Sequence, residues 1–147
     1  MNGTRIIGCG NLQRGDDAAG ILVVHRLREM GIDAEEAGDE ILRAMAAWKP
    51  EDHVIFVDAA QSSEAPGTVL RFQPEELAHY VHALRFSTHG IGLADMVGLA
   101  GALGRLPQRL SVIGIVGENF TAGARLTPAV REAIEDVAAE LAAICRN

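Results

Sequence analysis

The sequence predicts one α/β domain spanning residues 1–147: a three-layer α/β/α sandwich around a mostly parallel, twisted sheet of about five strands, one of them antiparallel. Two observations carry that expectation. Short apolar runs of strand length alternate with segments in which apolar residues recur at helical spacing. The two best runs, residues 53–58 and 110–116, are apolar almost without interruption, which is how a strand covered on both faces of a parallel sheet reads. No internal repeat, linker or low-complexity stretch interrupts the alternation.

The elements follow in order. Arg5-Ile6-Ile7-Gly8-Cys9-Gly10 reads as a short strand entering a glycine loop, and residues 17–30 carry Ile21, Leu22, Val24 and Leu27 at helical spacing, with Gly31 placed to end the helix. Residues 32–37 are a weaker strand, and residues 40–48 a helix stopped near Pro50. After the strand over residues 53–58, Ala65-Pro66-Gly67 turns the chain into a strand over residues 68–72. Pro74 then opens a helix running toward Phe86, and residues 93–103 form a short helix rich in small residues. Beyond the last strand, Thr127-Pro128 supplies an N-cap and a first-turn proline for a helix whose apolar face is Val130, Ile134, Val137, Leu141 and Ile144.

Composition narrows the function classes. The chain has 147 residues, 48% of them hydrophobic, and a formal net charge of -7, which suits one buried core and disfavours attraction to nucleic acid or anionic lipid. No apolar run approaches the roughly 20 residues that span a bilayer, and the first residues lead into a strand rather than a signal peptide, so the expected location is cytoplasmic. The two cysteines, Cys9 and Cys145, lack the close spacing of a metal knuckle or redox pair and read as buried or partly buried thiols. Cys9 as a nucleophile is the weaker reading. No Gly-x-Ser-x-Gly elbow and no His-Glu-x-x-His helix is present.

Three places hold residues suited to chemistry. The first loop, Gly8 to Asp17, ends on two acids at a helix start, but it has Gln13 where a dinucleotide fingerprint needs glycine, and its carboxylates would repel a pyrophosphate. Acids in a first turn commonly serve the backbone and the helix dipole, and one acid suffices for that. Asp16 is expected to take that role, leaving Asp17 to project over the sheet edge. Asp58 ends the best strand at the carboxyl edge of the sheet, where it either caps a turn or faces a ligand. His89 lies in the glycine-rich connection Ser87 to Gly92, whereas His25, His53, His79 and His82 read as ordinary solvated histidines. One imidazole and two carboxylates suit a borderline divalent metal such as nickel, zinc or cadmium.

These blocks, Gly8-x-Gly10-Asn11-x-x-x-Gly15-Asp16-Asp17-x-x-Gly20, Val57-Asp58-Ala59 and Ser87-x-His89-x-x-Gly92-Leu93-x-Asp95, resemble the hydrogenase maturation proteases, in the family's order. Gly114-Ile115-Val116-x-Glu118 and Leu126-Thr127-Pro128-x-Val130 are similar to that family's last strand and helix start. The resemblance implies a phosphorylase/hydrolase-like sandwich and an endopeptidase that removes the C-terminal extension of a nickel-iron hydrogenase large-subunit precursor after nickel insertion. It implies that Asp17, Asp58 and His89 form the metal-contacting and catalytic set, with Gly10, Asn11, Gly38 and Asp39 as substrate-binding candidates.

The nickel in that reading arrives with the precursor, cadmium or zinc can stand in for it, and the enzyme is a monomer without nucleic-acid or membrane partners. A non-catalytic nickel or precursor-binding checkpoint is the alternative, since the same ligands serve both. Three departures stand out. Asp17 replaces a frequent glutamate, Glu36-Ala37-Gly38-Asp39 replaces an Asp-Gly-Gly-Thr-like segment, and Gly117 replaces the proline usual after the last strand.

Overall fold

A computed structural model of the chain describes residues 3–38, 48–73, 76, 85 and 93–146. Its strands are β1 (Thr4–Cys9), β2 (Glu35–Gly38), β3 (His53–Ala60), β4 (Val69–Phe72) and β5 (Arg109–Val116). Its helices are α1 (Ala19–Glu29), α2 (Leu93–Ala102) and α3 (Pro128–Arg146), with a 3-10 turn over Gly15–Ala18 preceding α1. The expected helix over residues 40–48 falls almost wholly outside the described residues, as does most of the one from Pro74 to Phe86.

The five strands form one sheet in the order β2-β1-β3-β5-β4, all parallel except β4, which pairs antiparallel with β5. Side chains alternate across the sheet. Ile6, Ile55, Val57, Ile113 and Ile115 face α1 and α3, where Val24, Leu27, Val130, Val137 and Leu141 complete one buried layer. Ile7, Val54, Phe56, Val112 and Val116 face the other way with Trp48, Phe72 and Ala100 of α2. Two covered faces make the three-layer sandwich and explain why β3 and β5 carry apolar residues at both parities.

Local signals place most boundaries within two or three residues. Gly31, at φ 80°, ends the first helix: its amide donates to the Arg28 carbonyl, and the Ile32 amide reaches back to Leu27. The expected helix start at Asp17 differs, because that residue lies in the 3-10 turn and regular α-helix begins at Ala19. β3 continues past Asp58 to Ala60, since β5 pairs with it along all eight residues. Ile144, expected on the buried face of the last helix, is 38% exposed, and its neighbour Cys145 packs against the core instead.

Candidate functional site: an acidic centre at the carboxyl edge

The strand order fixes where a site can form. From β1 the chain moves to β2 on one side and then to β3 on the other, so the topological switch point lies between the carboxyl ends of β1 and β3, the usual ligand position in such sheets. The loop after β1 carries Asp16 and Asp17, and β3 carries Asp58.

Glycines bring the loop after β1 against β3. A Cβ on Gly20 would lie 2.3 Å from the Val57 carbonyl oxygen and 2.4 Å from that of Cys9, so the start of α1 rests directly on β1 and β3. The 3-10 turn accordingly packs against β3. Gly10, at φ 142°, closes the loop: a Cβ there would meet the Asp17 carbonyl oxygen at 2.2 Å, and the Asn11 amide donates to the same oxygen at 3.1 Å.

Asp16 and Asp17 are both fully removed from water, and Asp58 is only 1% exposed. Asp16 does serve the backbone, but not the cap of its own helix. It accepts hydrogen bonds from the Glu118 and Asn119 amides at 2.8 and 3.2 Å, and from the Thr127 amide and hydroxyl at 2.8 and 2.6 Å. Burial pushes its carboxyl up, yet the donors from Thr127, Glu118 and Asn119 together outweigh that and hold it below the ordinary aspartate value. The Thr127 hydroxyl is thereby directed to Asp16, while its carbonyl accepts the first bond of α3, from Arg131.

Asp17 points elsewhere. Its Oδ1 lies 3.4 Å from Nε of Arg85, whose side chain is 15% exposed. The Asp58 carboxylate accepts the Ala59 amide at 2.8 Å. Burial, and then the neighbouring Asp58 charge, push the Cys9 thiol well above its ordinary value, which keeps it protonated and argues against a nucleophilic Cys9.

The remaining candidates divide. Asn11 is exposed, and its side chain accepts the Gln13 amide in a turn, while Gly38 ends β2 opposite Cys9. His89, Asp39, His79 and His82 lie outside the described residues. His25 pairs with Glu36, and His53 meets the Ser111 hydroxyl at 3.2 Å. Among the described residues no three His, Cys, Asp or Glu side chains form a metal-sized cluster, so the described donor set is the two carboxylates. Two buried carboxylates, one on the turn and one on the strand it packs against, call for positive charge, which a divalent cation would supply.

Sequence reasoning missed Arg85. It bears on Asp17, donates to the Gln61 side chain at 2.9 Å, and lies 4.4 Å from the centre of the Phe120 ring. No local pattern marks a residue whose partners are scattered so widely in the chain. Next to Gln61 opens a cleft of about 360 Å³ lined by Ser62, Glu64, Leu70, Arg71 and Phe72. A second cleft, of about 370 Å³, lies at the opposite, amino edge of the sheet, where Arg5 and Glu35 are already paired at 2.7 Å.

Fold and site define an α/β protein with a buried acidic centre at the switch point of a parallel sheet. The family model described as hydrogenase maturation protease matches residues 21–144. The hydrogenase 2 maturation protease of Escherichia coli K12 is 31% identical over 151 aligned residues, covering 97% of this chain and 90% of that protein. Among solved structures, the NiFe hydrogenase maturation protease HybD from Thermococcus kodakarensis superposes with a TM-score of 0.82 at 28% identity, covering 99% of each chain. The hydrogenase maturating endopeptidase HybD from E. coli gives 0.83 at 25% identity, covering 99% of this chain and 93% of that one. The protein belongs to the hydrogenase maturation protease family.

Proposed function

We propose that this protease removes the C-terminal extension of a nickel-iron hydrogenase large-subunit precursor once nickel has been inserted, and that it recognises the nickel through Asp17, Asp58 and His89. The observation that carries the reading is the meeting of the turn holding Asp17 with the strand holding Asp58, both acids buried, at the carboxyl edge of the sheet. Away from water, two carboxylates attract a divalent cation far more strongly than they would at the surface. His89 enters from the sequence resemblance and would add the nitrogen donor that a borderline metal favours.

Nickel belongs to the substrate in this scheme, and when bound it supplies a Lewis-acidic charge beside the scissile peptide. The chain's own groups do the rest. Asp17 and Asp58 hold the loaded end of the precursor, and the cleft beside Gln61 offers room for the segment that is cut away. No helix among the described residues is long and apolar enough to cross a membrane, in keeping with a proposed cytoplasmic encounter between one copy of the enzyme and one precursor.

The test mixes purified protein with nickel-loaded and nickel-free precursor and follows precursor mass. Truncation of the loaded form alone is expected, with Asp58→Asn and His89→Ala each lowering the rate at least about 100-fold. Complex formation without truncation would instead indicate a binding checkpoint, and equal cutting of both forms would overturn nickel recognition.

A further inference from the structure

We infer that Arg85 is the resident counter-ion of the acidic centre, displaced from Asp17 by an incoming divalent cation, and that Gly117 makes the seat on which Arg85 rests. The inference builds on the reading of Asp17 as a cation contact. Its starting point is charge. A buried carboxylate is costly unless a cation compensates it, and a guanidinium keeps its proton throughout the working pH range.

The geometry shows a cation that other groups hold as well. Arg85 reaches Asp17 at 3.4 Å, the long limit of a hydrogen bond, whereas its bond to Gln61 is 2.9 Å. Its guanidinium also lies 4.4 Å from the Phe120 ring centre, a cation–π contact. Phe120 and Gln61 therefore retain the guanidinium when Asp17 turns to another cation. Asp16, by contrast, is held by fixed backbone donors and has no such exchange open to it.

The seat depends on a residue without a side chain. A Cβ at position 117 would lie 2.9 Å from two carbons of the Phe120 ring and 2.6 Å from the Asp16 Cβ. Any side chain there moves the ring or the turn, so Gly117 is what lets Phe120 fold back beneath Arg85. The consequence is selectivity. Free divalent ions must compete with Arg85 for Asp17, while a precursor-borne ion brings the rest of its interface to the contest.

The test is calorimetric titration of the full chain with cadmium chloride, alongside thermal melts with and without the ion. Arg85→Gln is expected to melt below wild type in the absence of cadmium, to recover more on its addition, and to bind it at least about tenfold tighter, a gain of about 1.4 kcal/mol. Arg85→Lys, which keeps charge but loses the planar fork, should fall between, and Gly117→Ala should shift affinity in the same direction by less. Unchanged or weaker cadmium binding by Arg85→Gln, with Asp17→Asn and Asp58→Asn still impaired, would overturn the counter-ion role and leave the acidic centre standing. Wild-type affinity in Asp17→Asn and Asp58→Asn would overturn the centre itself, and the inference with it. If Arg85→Gln does not fold, the comparison passes to Arg85→Lys, where affinity equal to wild type overturns the inference.

Discussion

Asp16 and Asp17 are adjacent in one 3-10 turn, equally buried, and turned toward opposite neighbourhoods. Asp16 is surrounded by four hydrogen-bond donors, three of them main-chain amides from the segment between β5 and α3. Asp17 meets the Arg85 guanidinium, from a distant part of the chain, and sits on a turn packed against the strand that bears Asp58. A carboxylate met by donors fixed in direction becomes part of the framework, because every lone pair has a partner that cannot follow it elsewhere. A carboxylate met by a side-chain cation is stable in place yet exchangeable, since another cation can take over the same charge. The difference lies in the surroundings, not in residue type or depth.

Stability measurements should separate the two most sharply. Asp16→Ala leaves three amides and a hydroxyl without their acceptor, and urea unfolding is expected to show a loss of about 3–5 kcal/mol. Asp17→Asn, which removes a charge but keeps the shape, should change stability by no more than about 1 kcal/mol. Equal losses in the two variants would erase the contrast.

A smaller effect is expected where the turn meets the sheet. Gly20→Ala forces a methyl against the Val57 and Cys9 carbonyls, and should cost about 2 kcal/mol. Because the same shift draws Asp17 away from β3, cleavage should fall further than the loss of folded protein explains. A variant that is destabilised but fully active per folded molecule would show that the acids need not meet.

The mildest contrast is in acid. The folded-state value of Asp16 is lowered, so its contribution is complete above the ordinary aspartate value of 3.8 and disappears as pH falls through the lower folded value. Denaturant midpoints should therefore drop on acidification in wild type, and drop less steeply in Asp16→Ala. Parallel profiles would mean that the Asp16 bonds add no pH-dependent stability.

Much of the frame was legible along the chain because its causes are local. The uninterrupted apolar runs of β3 and β5, the helical spacing of Leu27 and its neighbours, the Gly31 stop and the Thr127-Pro128 start each act within a few residues. The outer ends were less so. Ile144 continues a periodic stripe, but whether the last turn of α3 is covered depends on how far the sheet extends beneath it. The two small residues after Asp58 gave no reason to prolong the strand, and β5 alone supplied it.

For the site, sequence order and motif spacing nominated Asp17, Asp58 and His89, because a loop end, a strand end and a glycine-rich connection are features of the chain itself. By itself the sequence determined the alternation of strands and helices, the two-faced burial of the central strands and the acids at their carboxyl ends, through periodicity and turn chemistry that act over short distances. Only the tertiary structure decided that Asp16 is tied to residues 118–127, that Asp17 faces Arg85, and that Gly117 leaves space for Phe120. Those outcomes depend on contacts between segments tens to more than a hundred residues apart, and the direction in which a buried carboxylate points is set by whichever donors packing brings to it.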